Sequence, residues 1–348
     1  MTLAGLTLAG CSTQAPSPPP GTTPTVGADQ EITFTAGQVT VHGSLRMPPH
    51  ASAPVPAAVL LAGSGPTDRN GNTPAVPGSI DTLRSLADVL ATDGVASVRY
   101  DKLSTGATGF GPFASDPSSI GYSDFTDEAS AALVFLAART DIDAGHLIIL
   151  GHSEGALIAL SVAAHPGPGQ PPLAGIGLLE SLGSRYLDLI SSQLTQALPT
   201  LVAAGRVSAT DADSAMQALP AAVSTLRSTG SFPVDLPVLL QRSGLSTANG
   251  HFLFQADQAD PAQLAAALPA GLRVLTTCSQ TDHQVPCSEM AKLDAALPAE
   301  TLTPVTLTTA DHVLKDEAPG TNVTSVSDLA FSAELPPALT SWLSTVAR

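Results

Sequence analysis

Positive charge is scarce in this chain: 14 lysines and arginines stand against 30 aspartates and glutamates, a formal net charge of −16. A surface so short of cations argues against nucleic-acid binding, which needs contacts that neutralise phosphates, and against binding to anionic membrane surfaces. Metal-binding patterns are missing too. The sequence has no CxxC, no HExxH and no clustered His/Asp pattern, so no metal and no cofactor is expected. It has no internal repeat, and only three cysteines. What is plentiful is apolar content, 43% of 348 residues, which excludes general disorder and is enough to bury the core of one large domain or two.

The N-terminus, "MTLAGLTLAGC", is a run of small apolar residues too short to span a bilayer. Leu8-Ala9-Gly10-Cys11 resembles the lipobox of bacterial lipoprotein precursors. That resemblance implies lipid on Cys11, an exported protein, and membrane attachment only through that residue. Residues 1–30 then read as a truncated signal and a tether, because "STQAPSPPPGTTPT" has too little apolar content to fold. No basic residue precedes the apolar run, so the true start is expected upstream of Met1. Cys278 and Cys287 remain as an even pair in "CSQTDHQVPC". An exported chain can hold them as a disulfide, contributing roughly 2–3 kcal/mol on the chain-entropy model.

From residue 31, "EITFTAGQVTVHGSLRMP" alternates as two antiparallel strands about a turn at Ala36-Gly37. "AAVLLAGSG" is a continuous apolar run ending in glycines, as in a strand buried on both faces. Helical spacing in "SIDTLRSLADVLATDG" ends at Gly94, and "VASVRYDK", "DFTDEASAALVFLAART", "HLIIL", "EGALIALSVAAH" and "AGIGLLES" continue the alternation of strand and helix. Such alternation points to a parallel sheet with helices on both faces. Residues 31–183 form the first part of this core. Between 184 and 270 the stretches are helical without clear strands, including "RYLDLISSQLTQAL" and "ATDADSAMQALPAAVSTLRS", and read as an inserted cap. Residues 271–348 complete the core with "GLRVLTTCS", "CSEMAKLDAAL", "TPVTLTTADH" and "ELPPALTSWLSTVA".

Gly151-His152-Ser153-Glu154-Gly155 is a G-x-S-x-G sequence between an expected strand and an expected helix. In that context the serine sits on a tight turn with its hydroxyl above the sheet, and the glycines let neighbouring backbone approach. His152 is expected to point away from the reaction. On this motif and its setting the chain resembles an α/β-hydrolase over residues 57–180 and 271–348. The fold implied is a mostly parallel central sheet, helices on both faces and an inserted helical cap. The resemblance also implies a nucleophile, an acid and a histidine in that order along the chain. "TTCSQTDHQVP" offers Asp282 after a strand, and "TLTTADHVLKD" offers His312 after the last core strand. Glu180, ending "GIGLLE", is the rival acid, and His283 the rival histidine. His42, His50, His146, His165 and His251 read as structural or solvated. Cys278 and Cys287 bracket Asp282, so their bond would clamp the loop that carries the acid.

The oxyanion hole of such a site takes backbone N–H donors. One is expected from Glu154, the residue after the nucleophile. The other falls in "LLAGSGPTDRNGN", where comparison with a His-Gly-x motif nominates Ser64, with Gly65 as the alternative and Ala62 in place of the usual histidine. "GSGPTDRNG" and "RYDKLSTGATG" resemble loops of a bacterial esterase and peptidase-like branch of the fold, although Leu103 and Ser104 depart from its Tyr-Asp-Lys-Arg-Gly. Asp68, Arg69, Asp101 and Lys102 are read as charges that brace these loops, with a substrate role for Arg69 as the alternative. The activity implied is a carboxylic-ester serine hydrolase working through an acyl-enzyme on a small-molecule or lipid-like acyl substrate. Aminopeptidase-like and acyl-thioesterase readings use the same triad, and a non-catalytic envelope-binding protein is the alternative of another class.

Overall fold

The computed structural model describes residues 27–49, 51, 54–317 and 325–347. Cys11, most of the expected tether, and His50 lie outside them. Eight strands form one sheet in the order β1-β2-β4-β3-β5-β6-β7-β8. They are β1 (Gln30–Ala36), β2 (Val39–Arg46), β3 (Val55–Leu61), β4 (Ala96–Tyr100), β5 (Ile142–His152), β6 (Gly175–Leu179), β7 (Arg273–Ser279) and β8 (Leu302–Leu307). β1 and β2 form an antiparallel hairpin in which Ala36 faces Val39, which moves the turn to Gly37-Gln38. Gly37 has a φ of 56° there. β2 joins β4 antiparallel, and every pairing from β4 to β8 is parallel.

The continuous apolar runs of the sequence are explained by two cores. On β3, Ala57, Val59 and Leu61 face one core, while Ala58 and Leu60 face the other. The strand period of two sends successive side chains to opposite faces, so a sheet covered on both sides needs apolar residues at every position. The first core is closed by α2 (Tyr122–Ala137) and α3 (Glu154–Ala164), and the second by α1 (Thr82–Thr92) and α10 (Leu335–Val346). Trp342 of α10 is 1% exposed in the second core.

Five helices lie between β6 and β7: α4 (Tyr186–Ala203), α5 (Ala209–Thr229), α6 (Val238–Arg242), α7 (Gly250–Gln258) and α8 (Pro261–Ala266). α4 runs past the expected end at Leu198 and carries Pro199 inside it, as α5 carries Pro220. A proline removes one backbone donor. Packing of α4 against α5 and α7 keeps the helix continuous across it. α8 packs on α3 and on α9 (Cys287–Asp294), so it belongs to the layer beside the sheet. Leu187, Leu219, Leu226 and Leu253 from the inserted helices share one apolar cluster with Ile149 and Leu157 of the core. The β3 crossover runs through α1 to β4 on one side, and β5 lies on the other side of β3. Strand order therefore reverses there, which opens a crevice at the carboxyl ends of β3 and β5.

Candidate active site

β5 ends at His152 and α3 begins at Glu154, with Ser153 between them at φ 55°, ψ −120°. A non-glycine residue at positive φ is strained, and the surrounding backbone enforces it. Ser153 N–H donates to the Leu179 carbonyl at 2.8 Å, and its carbonyl accepts from Ala156 N–H at 2.9 Å. A Cβ at Gly151 would be driven into the Gly155 carbonyl carbon and oxygen, and one at Gly155 would lie 2.5 Å from the Leu61 carbonyl oxygen. Both glycines are thus required by the close approach of the elbow to itself and to β3.

Ser153, Asp282 and His312, far apart in sequence, meet at this elbow. His312 Nε2 lies 3.1 Å from Ser153 Oγ, and His312 Nδ1 lies 2.7 Å from Asp282 Oδ2. The other carboxylate oxygen, Oδ1, accepts the backbone N–H groups of Gln284 at 2.6 Å and Val285 at 2.9 Å, which fixes Asp282 in its loop. A Cys278–Cys287 disulfide joins the end of β7 to the first residue of α9 and spans that loop.

Glu180, directly after β6, is fully buried at φ 51° and makes its hydrogen bonds to β7. Its carboxyl accepts from Thr277 Oγ1 at 3.0 Å, Ser279 N–H at 2.8 Å and Ser279 Oγ at 3.0 Å. Burial, and after it the charge of Asp282, pushes the Glu180 carboxyl up to about 7. His283 is exposed, and it is His312 that meets both Ser153 and Asp282. His146 pairs with Asp143, and His251 lies beside Gln255.

The expectation for His152 needs correction. Its ring sits against that of His312, with centroids 5.1 Å apart, and its Nε2–H donates to the His312 carbonyl at 2.6 Å. Burial first, and the neighbouring His312 second, push His152 down to about 4, so it stays neutral and acts as a backbone clasp for His312. The clue was its place beside the serine, but only the return of the last loop onto β5 reveals the contact.

Arg69 donates to Asp101 at 2.8 Å, to Glu31 at 2.7 Å and to Ser44 Oγ at 3.0 Å, and Asp101 also accepts the Ala107 N–H. Asp68 accepts the Asn70 and Asn72 N–H groups. Lys102 goes further than loop bracing: its buried Nζ donates to the Gly63 carbonyl at 2.6 Å and to Glu154 Oε1 at 3.1 Å. The second Glu154 oxygen accepts from Tyr186 Oη at 2.5 Å, tying the first residue of α4 to the elbow. Burial, and then Glu154, raise the Tyr186 phenol well above its ordinary value, so it remains a donor.

Ser153 and His312 open into a cavity of about 730 Å³. Ile120, Phe125, Leu189, Ile190, Leu194 and Phe252 give it an apolar lining, with Lys102 and Glu154 beside Ser153. A second cavity of about 440 Å³, lined in part by Thr67, Ile80, His283, Asp311 and Glu317, also reaches these two residues. Ser64 borders both. Among the described residues, no group of three or more His, Cys, Asp or Glu side chains could hold a metal ion, and no helix is long and apolar enough to cross a membrane.

The sheet order, the strained serine turn after β5 and the helices on both faces define an α/β-hydrolase fold. Solved structures of that fold include an esterase of Pyrococcus furiosus, Pf2001, 11% identical over 92% of each chain with a TM-score of 0.55. The proline iminopeptidase of Mycobacterium smegmatis is 16% identical, covering 82% of this chain and 92% of its own, at a TM-score of 0.55. A 2,6-dihydroxy-pseudo-oxynicotine hydrolase is 16% identical over 92% of this chain and 68% of its own, at 0.54. At these identities the likeness is one of fold. No family model matches the sequence, and no curated protein matches it.

Proposed function

We propose that the chain is a serine hydrolase that cleaves neutral carboxylic esters through an acyl-enzyme. The observation that carries this reading is His312, which bridges Ser153 Oγ and Asp282 at the mouth of an apolar cavity. A serine hydroxyl is a weak nucleophile. His312 Nε2 takes its proton as the Oγ–carbon bond forms, and returns that proton to the departing alkoxide as the ester C–O bond breaks. Water then repeats the sequence on the acyl-enzyme, giving the free acid and regenerating Ser153. Asp282 holds the imidazole by Nδ1–H and stabilises its cationic form. Glu154 and Ser64 supply N–H donors for the oxyanion.

The ester reading is favoured over its relatives by charge. Lys102 is the one cation among the described lining residues of the larger cavity, and it is paired with Glu154. The described lining of that cavity therefore offers no unpaired Lys or Arg to the phosphates of an acyl-CoA. Glu154 is the one carboxylate in that lining, and Lys102 and Tyr186 occupy it, so the larger cavity offers no free acid to the ammonium of an aminoacyl substrate; Asp311 and Glu317 line the smaller cavity, in the loop after β8. Export and a lipid on Cys11 remain part of the proposal, supported by the Cys11 sequence and by a disulfide of the kind oxidising compartments maintain.

A panel of p-nitrophenyl acyl esters, aminoacyl p-nitroanilides and acyl-CoA thioesters tests the substrate class. The highest kcat/KM is expected on an uncharged acyl ester. A preference of about a hundredfold for aminoacyl amides, some 2.7 kcal/mol in transition-state binding, would overturn the ester reading.

A further inference from the structure

We propose that Lys102 is a positioning residue for the oxyanion hole, holding the Ser64 and Glu154 N–H donors in one frame; this rests on the serine-hydrolase reading above. The two donors stand on different elements, Ser64 in the loop after β3 and Glu154 at the start of α3. Lys102, two residues beyond β4, reaches both. Its ammonium donates to the carbonyl of Gly63 at 2.6 Å and to the carboxylate of Glu154 at 3.1 Å.

The geometry of a peptide unit turns the first contact into control of a donor. No described peptide bond is cis, so the Gly63 carbonyl and the Ser64 N–H share a plane and point in opposite directions. Fixing the carbonyl on Lys102 therefore fixes the N–H on the opposite side. A cation on the oxygen also draws charge from the amide nitrogen and makes its N–H a stronger donor. This peptide lies against the nucleophile: a Cβ built on Gly63 would be 3.4 Å from Ser153 Cβ.

The second contact anchors the other half. The Glu154 N–H belongs to the first turn of α3, where amides have no partner within the helix. Its side chain is held between Lys102 and Tyr186, so the residue that offers the donor cannot rotate independently of the Gly63–Ser64 loop. Lys102 is 6% exposed and lies 5.5 Å from the centroid of the Phe125 ring. With so little of either side chain exposed, the ion pair is screened less than one on the open surface.

The test compares wild type with Lys102→Met and Lys102→Arg on the best ester substrate, together with a trifluoromethyl ketone carrying the same acyl chain, which forms a tetrahedral adduct on the serine. Loss of a positioned oxyanion donor costs roughly 10²–10³ in kcat. For Lys102→Met the expected result is a fall of at least about thirtyfold in kcat, a KM within about threefold, and a rise in ketone Ki that matches the fall in kcat/KM. Lys102→Arg is expected to recover part of both. A folded Lys102→Met protein with kcat and ketone Ki within threefold of wild type overturns the proposal. Should that variant fail to fold, Glu154→Gln keeps the N–H and the side-chain size but weakens the anchor; a parallel, smaller loss in kcat and ketone affinity supports the proposal, and no change in either overturns it. A wild-type protein that neither turns over esters nor reacts with fluorophosphonate removes the hydrolase reading itself, and the proposal with it.

Discussion

Two carboxylates stand at strand ends near His312, and their hydrogen bonds separate their roles. Asp282 meets the imidazole at 2.7 Å, whereas Glu180 spends its oxygens on Thr277 and Ser279. Asp282→Asn is therefore expected to lower kcat by about 10³-fold or more, as an amide cannot hold the required tautomer or stabilise the imidazolium. Glu180→Gln is expected to keep kcat within about tenfold. Equal losses would contradict the assignment of Asp282. The same Glu180 variant has a signature in stability. Because burial and Asp282 raise its carboxyl to about 7, the folded state prefers the proton, and this contribution is fully present below the ordinary value of 4.5. It is lost as pH rises through about 7. Glutamine carries no charge to bury and can turn its amide to the two hydroxyls, so the difference in Tm, variant minus wild type, is expected to be more positive at pH 8 than at pH 5. A difference independent of pH would contradict the raised carboxyl.

At the scale of elements, most of the candidate site was legible because strands and helices announce themselves by period and the candidate residues sit where one gives way to the next. The break at Gly151 to Gly155 is such a place, and so are the loops after β7 and β8. Less visible was anything that depends on which loops touch. The clasp between His152 and His312 joins β5 to the loop after β8, and the Lys102 bridge joins three strand ends through one ammonium. No local period encodes either. Pro199 similarly suggests an early end to α4, and tertiary packing overrides it. The disulfide belongs to this scale as well, since it ties β7 to α9 across the Asp282 loop. Complete reduction, or Cys278→Ser with Cys287→Ser, is expected to lower Tm by roughly 3–6 °C, given about 2–3 kcal/mol for so short a loop. Turnover is expected to fall at least twofold as Asp282 loses its fixed loop. Unchanged melting and unchanged turnover would show that the bond does not support the acid.

For the whole molecule, the sheet fixes Ser153, Asp282 and His312 and the inserted helices shape the cavity beside them. α4 and α7 supply much of the apolar lining of the larger cavity, and their side chains continue the core of the sheet without a break. Asp257 at the end of α7 is 1% exposed and binds both Arg185, which precedes α4, and Arg227 in α5. One buried carboxylate thus joins three of the helices that roof the site, a geometry that ties the shape of the cavity to the packing of the roof. The alternation of strand and helix revealed the sheet, while the cavity depends on how α4 to α7 fold back over it, for which the sequence offers amphipathic stretches but no register.

In the proposed reaction Ser153 is the activated nucleophile. Fluorophosphonate treatment of the folded protein, followed by intact-mass and peptide analysis, tests it most directly. A single adduct is expected, located on Ser153, formed more slowly in the presence of an ester substrate, and absent from a Ser153→Ala variant that melts at the wild-type temperature. A folded wild-type protein that takes no adduct, or an adduct that survives in Ser153→Ala, would contradict it.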